Sequence, residues 1–295
     1  MRPTLSEQSH PRVFREFTYV YPVLSRRSGG VSVGINLNPD KACNFDCIYC
    51  QVDRTQTPQQ IFVAIPKLLE ELESVLRGLA PGGSYWSAPE FVALPPEKQR
   101  VADVAFSGDG EPTTFRNFSE IVRCCVELKE RLGFVDAKLV LITNATGLDR
   151  PDVRAALALM DQHRGEVWAK LDAGSPEYFA RIDRTEFPFP KILDNIAACA
   201  QARETVIQSC FMRLGGQGPS FEEISQYVAR LRDIVARGGR IKLVQVYTVA
   251  RRPAESLVSS LDAATVDAIA ERVRREAQLP AKAFYGDVPE GLGHK

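Results

Sequence analysis

Cys43, Cys47 and Cys50 stand in the run Asn38-Pro39-Asp40-Lys41-Ala42-Cys43-Asn44-Phe45-Asp46-Cys47-Ile48-Tyr49-Cys50. The spacing C-x3-C-x2-C puts three thiols on one short loop, and thiolates are the ligands of choice for zinc and for iron–sulfur clusters. A structural zinc site closes with four ligands, and His10, His163 and His294 are all distant in sequence. A cubane cluster usually takes four cysteines. The next ones, Cys124 and Cys125, fall inside an expected helix, so one iron of a cubane is left open to a small molecule. A closed zinc site, a closed electron-transferring cluster with a remote fourth ligand, and three buried cysteines without metal stand as alternatives. Against the last, the same loop carries Asn, Asp and Lys.

The loop must be held by the elements around it. Val31–Ile35 reads as a strand from its β-branched content. Beyond it, apolar periodicity gives helices over 66–79, 117–132, 151–163, 176–184, 192–202, 221–236 and 263–277. Strands are expected over 101–106, 138–143, 166–171, 205–211 and 240–247. Ser220 with Glu223 has the pattern of a capping box. Six strand–helix units in alternation imply an α/β fold with a parallel sheet and outer helices. A partly open (βα)6 barrel or a six-stranded open sheet fits that count, in a single domain. Residues 1–29 are an N-terminal extension whose Phe14, Phe17, Tyr19 and Tyr21 are expected to pack on the core, with substrate contact as the alternative. The barrel core covers 30–250, and 251–295 is a last helix and tail. The cysteine loop follows the carboxyl end of the first strand, where such folds place their chemistry.

Further polar residues fall at strand ends. Ser107-Gly108-Asp109-Gly110-Glu111-Pro112-Thr113 combines glycines, which allow close backbone approach, with a carboxylate; a tight turn with a solvated acid is the plain alternative. Thr143-Asn144-Ala145 ends the third strand, and Asn144 either meets a ligand or caps its own loop. Lys170 and Asp172 share a face by strand alternation and are able to pair with each other. Gln208 with Cys210, and Gln245 with Tyr247, alternate onto one face in the same way, and Arg213 lies close by. Cys210 reads first as a small buried hydrophobe, as do Cys124, Cys125 and Cys199 on helical stretches. Arg251-Arg252 is either an anion contact or a solvated turn.

The bulk properties narrow the class. The chain has 295 residues, 44% hydrophobic and 25% charged, with a formal net charge of +0. Neutrality gives no whole-chain field for nucleic acid or membrane. There is no run of ~18 apolar residues and no signal-peptide pattern near the start, so a soluble, cytoplasmic protein is expected. Seven unevenly spaced cysteines do not make a disulfide scaffold.

The loop resembles the C-x3-C-x-aromatic-C signature of the radical S-adenosylmethionine (SAM) superfamily, with Tyr49 at the aromatic position. The resemblance implies a partial (βα)6 barrel and a [4Fe–4S] cluster on Cys43, Cys47 and Cys50. SAM would complete the fourth iron, with the Tyr49 position near its adenine. It further implies an enzyme of oxidoreductase type that cleaves SAM reductively to a 5′-deoxyadenosyl radical for hydrogen abstraction. Gly110-Glu111 is similar to the Gly-Gly-Glu motif that holds the SAM ammonium, with Asp109 in place of the first glycine. Thr143-Asn144-Ala145 is similar to Thr-Asn-Gly, and Lys170 and Asp172 match ribose- and carboxylate-binding positions. A flavodoxin or ferredoxin is the implied electron donor. Over about residues 30–250 the chain resembles a bacterial group beside the wybutosine tRNA-modifying enzymes. It lacks their upstream cysteines: residues 1–42 contain none. An RNA substrate therefore stays an alternative, next to a small molecule or protein side chain and next to non-catalytic electron transfer.

Overall fold

The computed structural model describes residues 5, 14–52, 62–253 and 255–286. The start of the expected N-terminal extension, the tail after Gly286, and His10 and His294 lie outside them. The described residues form two compact units. One comprises Met1–Ala42, Gln56–Ile142 and Arg150–Glu166; the other comprises Cys43–Thr55, Thr143–Asp149 and Val167–Lys295.

In the first unit, β1 (Val20–Ser25) runs antiparallel to β2 (Gly30–Ile35), with Val20 opposite Ile35. Strand β2 pairs in parallel with β3 (Val101–Phe106), and β3 with β4 (Lys138–Thr143). Helix α1 (Ile65–Gly78) buries Leu68, Leu72, Val75 and Leu76, the stripe that its apolar period requires. Glu71 on the same face is also buried. Its carboxylate accepts the backbone N–H groups of Thr18, Tyr19 and Val20 at 2.8, 2.7 and 3.1 Å, which anchors the entry to β1. Helices α2 (Phe118–Arg131) and α3 (Pro151–Gln162) complete the unit. Strand β1 departs from the sequence expectation, which gave this stretch no strand. Its first five residues are all buried, so no alternation marks it, and Pro22 argues against a strand except at a sheet edge, where β1 lies.

In the second unit, β5 (Gly165–Lys170), β6 (Thr205–Cys210), β8 (Ile241–Tyr247) and β10 (Ala281–Phe284) are parallel neighbours in that order. A separate small ribbon joins β7 (Met212–Leu214) to β9 (Val258–Ser260). Strand β10 was not expected either, because Ala and Lys are poor strand formers and only its pairing with β8 defines it. The helices are α4 (Pro176–Asp183), α5 (Phe189–Ala202), α6 (Phe221–Ala236) and α7 (Ala263–Arg272); the last continues into a π-helical turn over Val273–Ala277. Strands β2, β3, β4, β5, β6 and β8 are the six foreseen. The capping box at α6 is half made. Ser220 Oγ accepts the Glu223 N–H at 3.1 Å, but the Glu223 carboxylate turns to Ser175 Oγ at 2.5 Å and to the Gly174 N–H.

Candidate functional site

The cysteine loop belongs to the second unit and is seated on the end of α4. A helix leaves its last carbonyls without internal partners. Here the loop supplies two donors: Asp46 N–H to the Asp183 carbonyl at 3.2 Å and Ile48 N–H to the Ile182 carbonyl at 2.8 Å. Arg184, in the left-handed region at φ 45°, ends the helix, and Thr185 Oγ1 donates to the Asn44 carbonyl at 3.0 Å. The Phe45 ring meets Phe179 edge-on, 5.9 Å between centres. The loop thus has backbone, hydroxyl and aromatic anchors on one helix.

None of the three cysteines is in a disulfide, and all are partly buried. Cys47 Sγ donates to Asp183 Oδ1 at 3.3 Å. Burial, reinforced by the Asp183 charge, pushes the Cys47 thiol well above its usual range. Burial also pushes Asp183 up to about 8, with the Asp172 charge adding to it.

Asn144 engages the same loop. Its Nδ2 donates to Asn44 Oδ1 at 2.7 Å, and its Oδ1 accepts the Thr146 N–H and Oγ1 at 3.1 and 2.7 Å. Asn44 Nδ2 in turn donates to Thr146 Oγ1 at 2.8 Å, and Asn195 Nδ2 holds the Ala145 carbonyl at 2.9 Å. These contacts tie Asn144 into the organisation of the loop. Ala145 stands at φ 69°, a left-handed backbone that favours glycine.

Lys170 and Asp172 pair, Nζ to Oδ2 at 3.0 Å, beyond the end of β5. The same Oδ2 accepts the Tyr49 hydroxyl at 2.5 Å, and Oδ1 accepts the Cys210 N–H at 2.6 Å. Lys170 Nζ also donates to the Tyr247 hydroxyl at 2.9 Å and lies 4.9 Å from the centre of the Tyr49 ring. Burial works against the Lys170 charge, yet Asp172 overcomes it and holds the ammonium well above its usual pKa. Burial and the Asp172 charge likewise keep Tyr49 protonated. Gln208 and Gln245, both buried, bond to each other at 2.8 Å. Arg213 pairs with Asp262. Cys125, Cys199 and Cys210 are buried, while Cys124 is partly exposed.

Gly110 and Glu111 belong to the first unit. Glu111 is 2% exposed and caps a short 3-10 turn over Pro112–Thr114, accepting the Thr113 N–H and Oγ1 at 3.2 and 2.6 Å. Asp109 is tied to Asn36 on both sides: Asn36 Nδ2 donates to its Oδ2 at 2.7 Å, and its N–H donates to Asn36 Oδ1 at 3.0 Å. A Cβ on Gly110 would stand 1.8 Å from the Ala42 carbonyl oxygen, so this glycine is required where its turn packs on the segment leading into Cys43. Sequence reasoning passed over Asp183, Thr185 and Asn195, and gave Glu223 only a capping role. No local pattern distinguishes them, and Asp183 is 136 residues from the thiol it touches.

A family model for the radical SAM superfamily matches residues 37–231. The chain belongs to the radical SAM superfamily. Among its relatives, a UPF0026 protein of Methanocaldococcus jannaschii is 32% identical over 179 residues, covering 60% of this chain and 48% of the relative. The chain spans about half or less of the curated relatives it matches first. A radical SAM methyltransferase from Sphaerobacter thermophilus superposes with a TM-score of 0.58 at 13% identity, over 90% of this chain and 69% of that one. A structure of TYW1 with a lysine–pyruvate adduct bound gives 0.49 at 14% identity, over 85% and 74%. The methyltransferase likeness shows the fold, the α/β partial barrel of radical SAM proteins. The donor set of this radical SAM chain suits a cluster: three thiols within eight residues, none of them in a disulfide. Among the described residues no three Cys, His, Asp or Glu side chains converge as they would around one ion. A cubane asks for a wider spread, since each thiolate binds a different iron. No helix among the described residues is long and apolar enough to cross a membrane.

Proposed function

We propose that this radical SAM protein binds one [4Fe–4S] cluster on Cys43, Cys47 and Cys50. When bound, the cluster would supply the electron that cleaves SAM to methionine and a 5′-deoxyadenosyl radical, which would abstract hydrogen from a substrate. The observation carrying this reading is the loop of three cysteines, none in a disulfide, inside the family-matched span and seated on the α4 carbonyls. The chain's own part is positioning and charge. The α4 end and Thr185 hold the loop backbone, and Asn144 organises its Asn44 side. Tyr49, whose hydroxyl donates to Asp172, would lie near the adenine, as the family resemblance implies. Glu111, with Gly110 before it, offers a buried carboxylate for the SAM ammonium, a charge-assisted contact. Lys170 retains its proton beside Asp172. A flavodoxin- or ferredoxin-type protein in the cytoplasm would deliver the electron, as the family resemblance implies.

The test uses anaerobically reconstituted full-length protein with dithionite and SAM. The expected product is 5′-deoxyadenosine, with SAM shifting the EPR signal of the reduced cluster. A fully loaded protein that yields no 5′-deoxyadenosine, and whose signal ignores SAM, would defeat the proposal. Cys47→Ala is expected to abolish cluster assembly; normal iron content in that variant would overturn the ligand assignment.

A further inference from the structure

Asp172 lies at a position where family resemblance suggests a direct ligand to SAM, but its surroundings assign it other work. The carboxylate is 2% exposed and takes three donors within 3.0 Å: the Tyr49 hydroxyl, the Lys170 ammonium and the Cys210 N–H. An ionised carboxylate offers about four acceptor positions in all. One of its donors is backbone on β6, so it cannot swing away without stranding a buried N–H. A ligand hydroxyl aimed at Oδ2 would have to displace Tyr49 or Lys170, and either displacement leaves a buried polar group unpaired; only the second position on Oδ1, beside the Cys210 N–H, is not taken by these three donors. The three donors come from three segments: the cysteine loop, β5 and the end of β6. Asp172 is where they are tied together.

We propose that Asp172 is a positioning residue that fixes Tyr49, and through it the Cys47–Cys50 end of the loop, with Lys170 as its counter-ion. Tyr49 immediately precedes Cys50, so the direction of its side chain constrains the backbone that carries the last thiol. Lys170 stacks on the Tyr49 ring and bonds to Tyr247, clamping the ring from a second side. An asparagine at 172 has one carbonyl oxygen. If that oxygen keeps the Cys210 N–H, its NH2 group faces the Lys170 ammonium, and both Tyr49 and Lys170 lose their acceptor. The proposal uses the cluster assignment only for its consequence in the loaded protein; the order of the loop is a property of the chain itself.

The test is therefore made on full-length, cluster-free protein under reducing anaerobic conditions, by timing iodoacetamide modification of each cysteine with peptide mass spectrometry. Asp172→Asn and Tyr49→Phe are each expected to speed modification of Cys47 and Cys50 about tenfold, the effect of losing one strong hydrogen bond. The double variant is expected to add little to either single one, because both act on one contact. Buried Cys199, on α5, serves as the control for general unfolding and is expected to stay slow. After reconstitution, the EPR g values of the reduced cluster are expected to shift alike in both single variants. Unchanged Cys47 and Cys50 rates in Tyr49→Phe would overturn the proposal, and so would fully additive effects. If Asp172→Asn exposes Cys199 as well, Tyr49→Phe alone decides. If Asp172→Asn leaves all rates within about twofold but weakens SAM binding, Asp172 is a direct ligand and the proposal falls. None of the alkylation outcomes depends on SAM cleavage, so failure here is distinct from failure of the proposed activity.

Discussion

Replacing Glu223 by alanine tests whether the turn after Asp172 is held from α6. Glu223 is 6% exposed, and its carboxylate accepts the Gly174 N–H, the Ser175 N–H at 3.4 Å and Ser175 Oγ at 2.5 Å. The turn has nowhere to retreat. A Cβ on Gly174 would come within 2.1 Å of the Tyr227 backbone nitrogen, and Arg230 Nε holds the Gly174 carbonyl at 2.9 Å. Glu223→Ala therefore leaves a buried N–H and a buried hydroxyl without their acceptor. Hydrogen bonds to a charged group contribute about 1.5–3 kcal/mol each. Two close bonds and one long one, on a shared carboxylate, give an expected loss of about 3–5 kcal/mol. Glu223→Gln keeps one acceptor oxygen and is expected to lose about 1–2 kcal/mol. The assay is urea unfolding followed by Trp168, which lies on β5, in a Trp86→Phe background so that the second unit is read alone. A Glu223→Ala midpoint that moves by less than the equivalent of about 1 kcal/mol, at unchanged slope, would refute the reasoning.

Burial raises the pKa of Asp103 despite its hydrogen bonds from Ser28 and Ser32. Above the ordinary carboxylate range the folded state then holds a proton that the unfolded state has lost. Stability is expected to fall as pH rises from that range toward the raised pKa, and Asp103→Asn to flatten this slope in urea titrations at several pH values. Ala145→Gly relieves the left-handed strain at φ 69° and is expected to stabilise by about 0.5–1 kcal/mol, after the added chain entropy of glycine, as a rise in melting temperature. Glu111→Ala is expected to weaken SAM binding about tenfold or more in equilibrium dialysis, with iron content preserved; unchanged affinity would remove Glu111 from that role.

Much of the architecture could be read residue by residue. Strands over Val101–Phe106 and Lys138–Thr143 and the helix over Phe221–Ala236 appear with the bounds their periodicity gave. Strands β1, β7, β9 and β10 did not announce themselves. They are short, interrupted by Pro22, or built from residues such as Ala281 and Lys282, and only their partners make them strands. At the candidate site, the shared face of Lys170 with Asp172 was legible because alternation is local, and the pair is formed. The bond between Gln208 and Gln245 joins two strands, which alternation along one strand does not foretell. Asn144 and Glu223 show the limit. Each had a plausible local role, and each side chain is directed by a neighbour from another segment.

By itself, then, the sequence determined the pattern: three thiols on one loop, Tyr49 before the last of them, and alternating strands and helices to carry them. These are written within a few residues of one another, as spacing and period. The tertiary structure decided what holds the loop and what each acid is for. Asp183 reaches Cys47 across 136 residues and Asp172 reaches Tyr49 across 123. A buried carboxylate takes whatever donors folding brings to it, because leaving them unpaired is costly. That choice is made among segments far apart in the chain, and no local pattern records it.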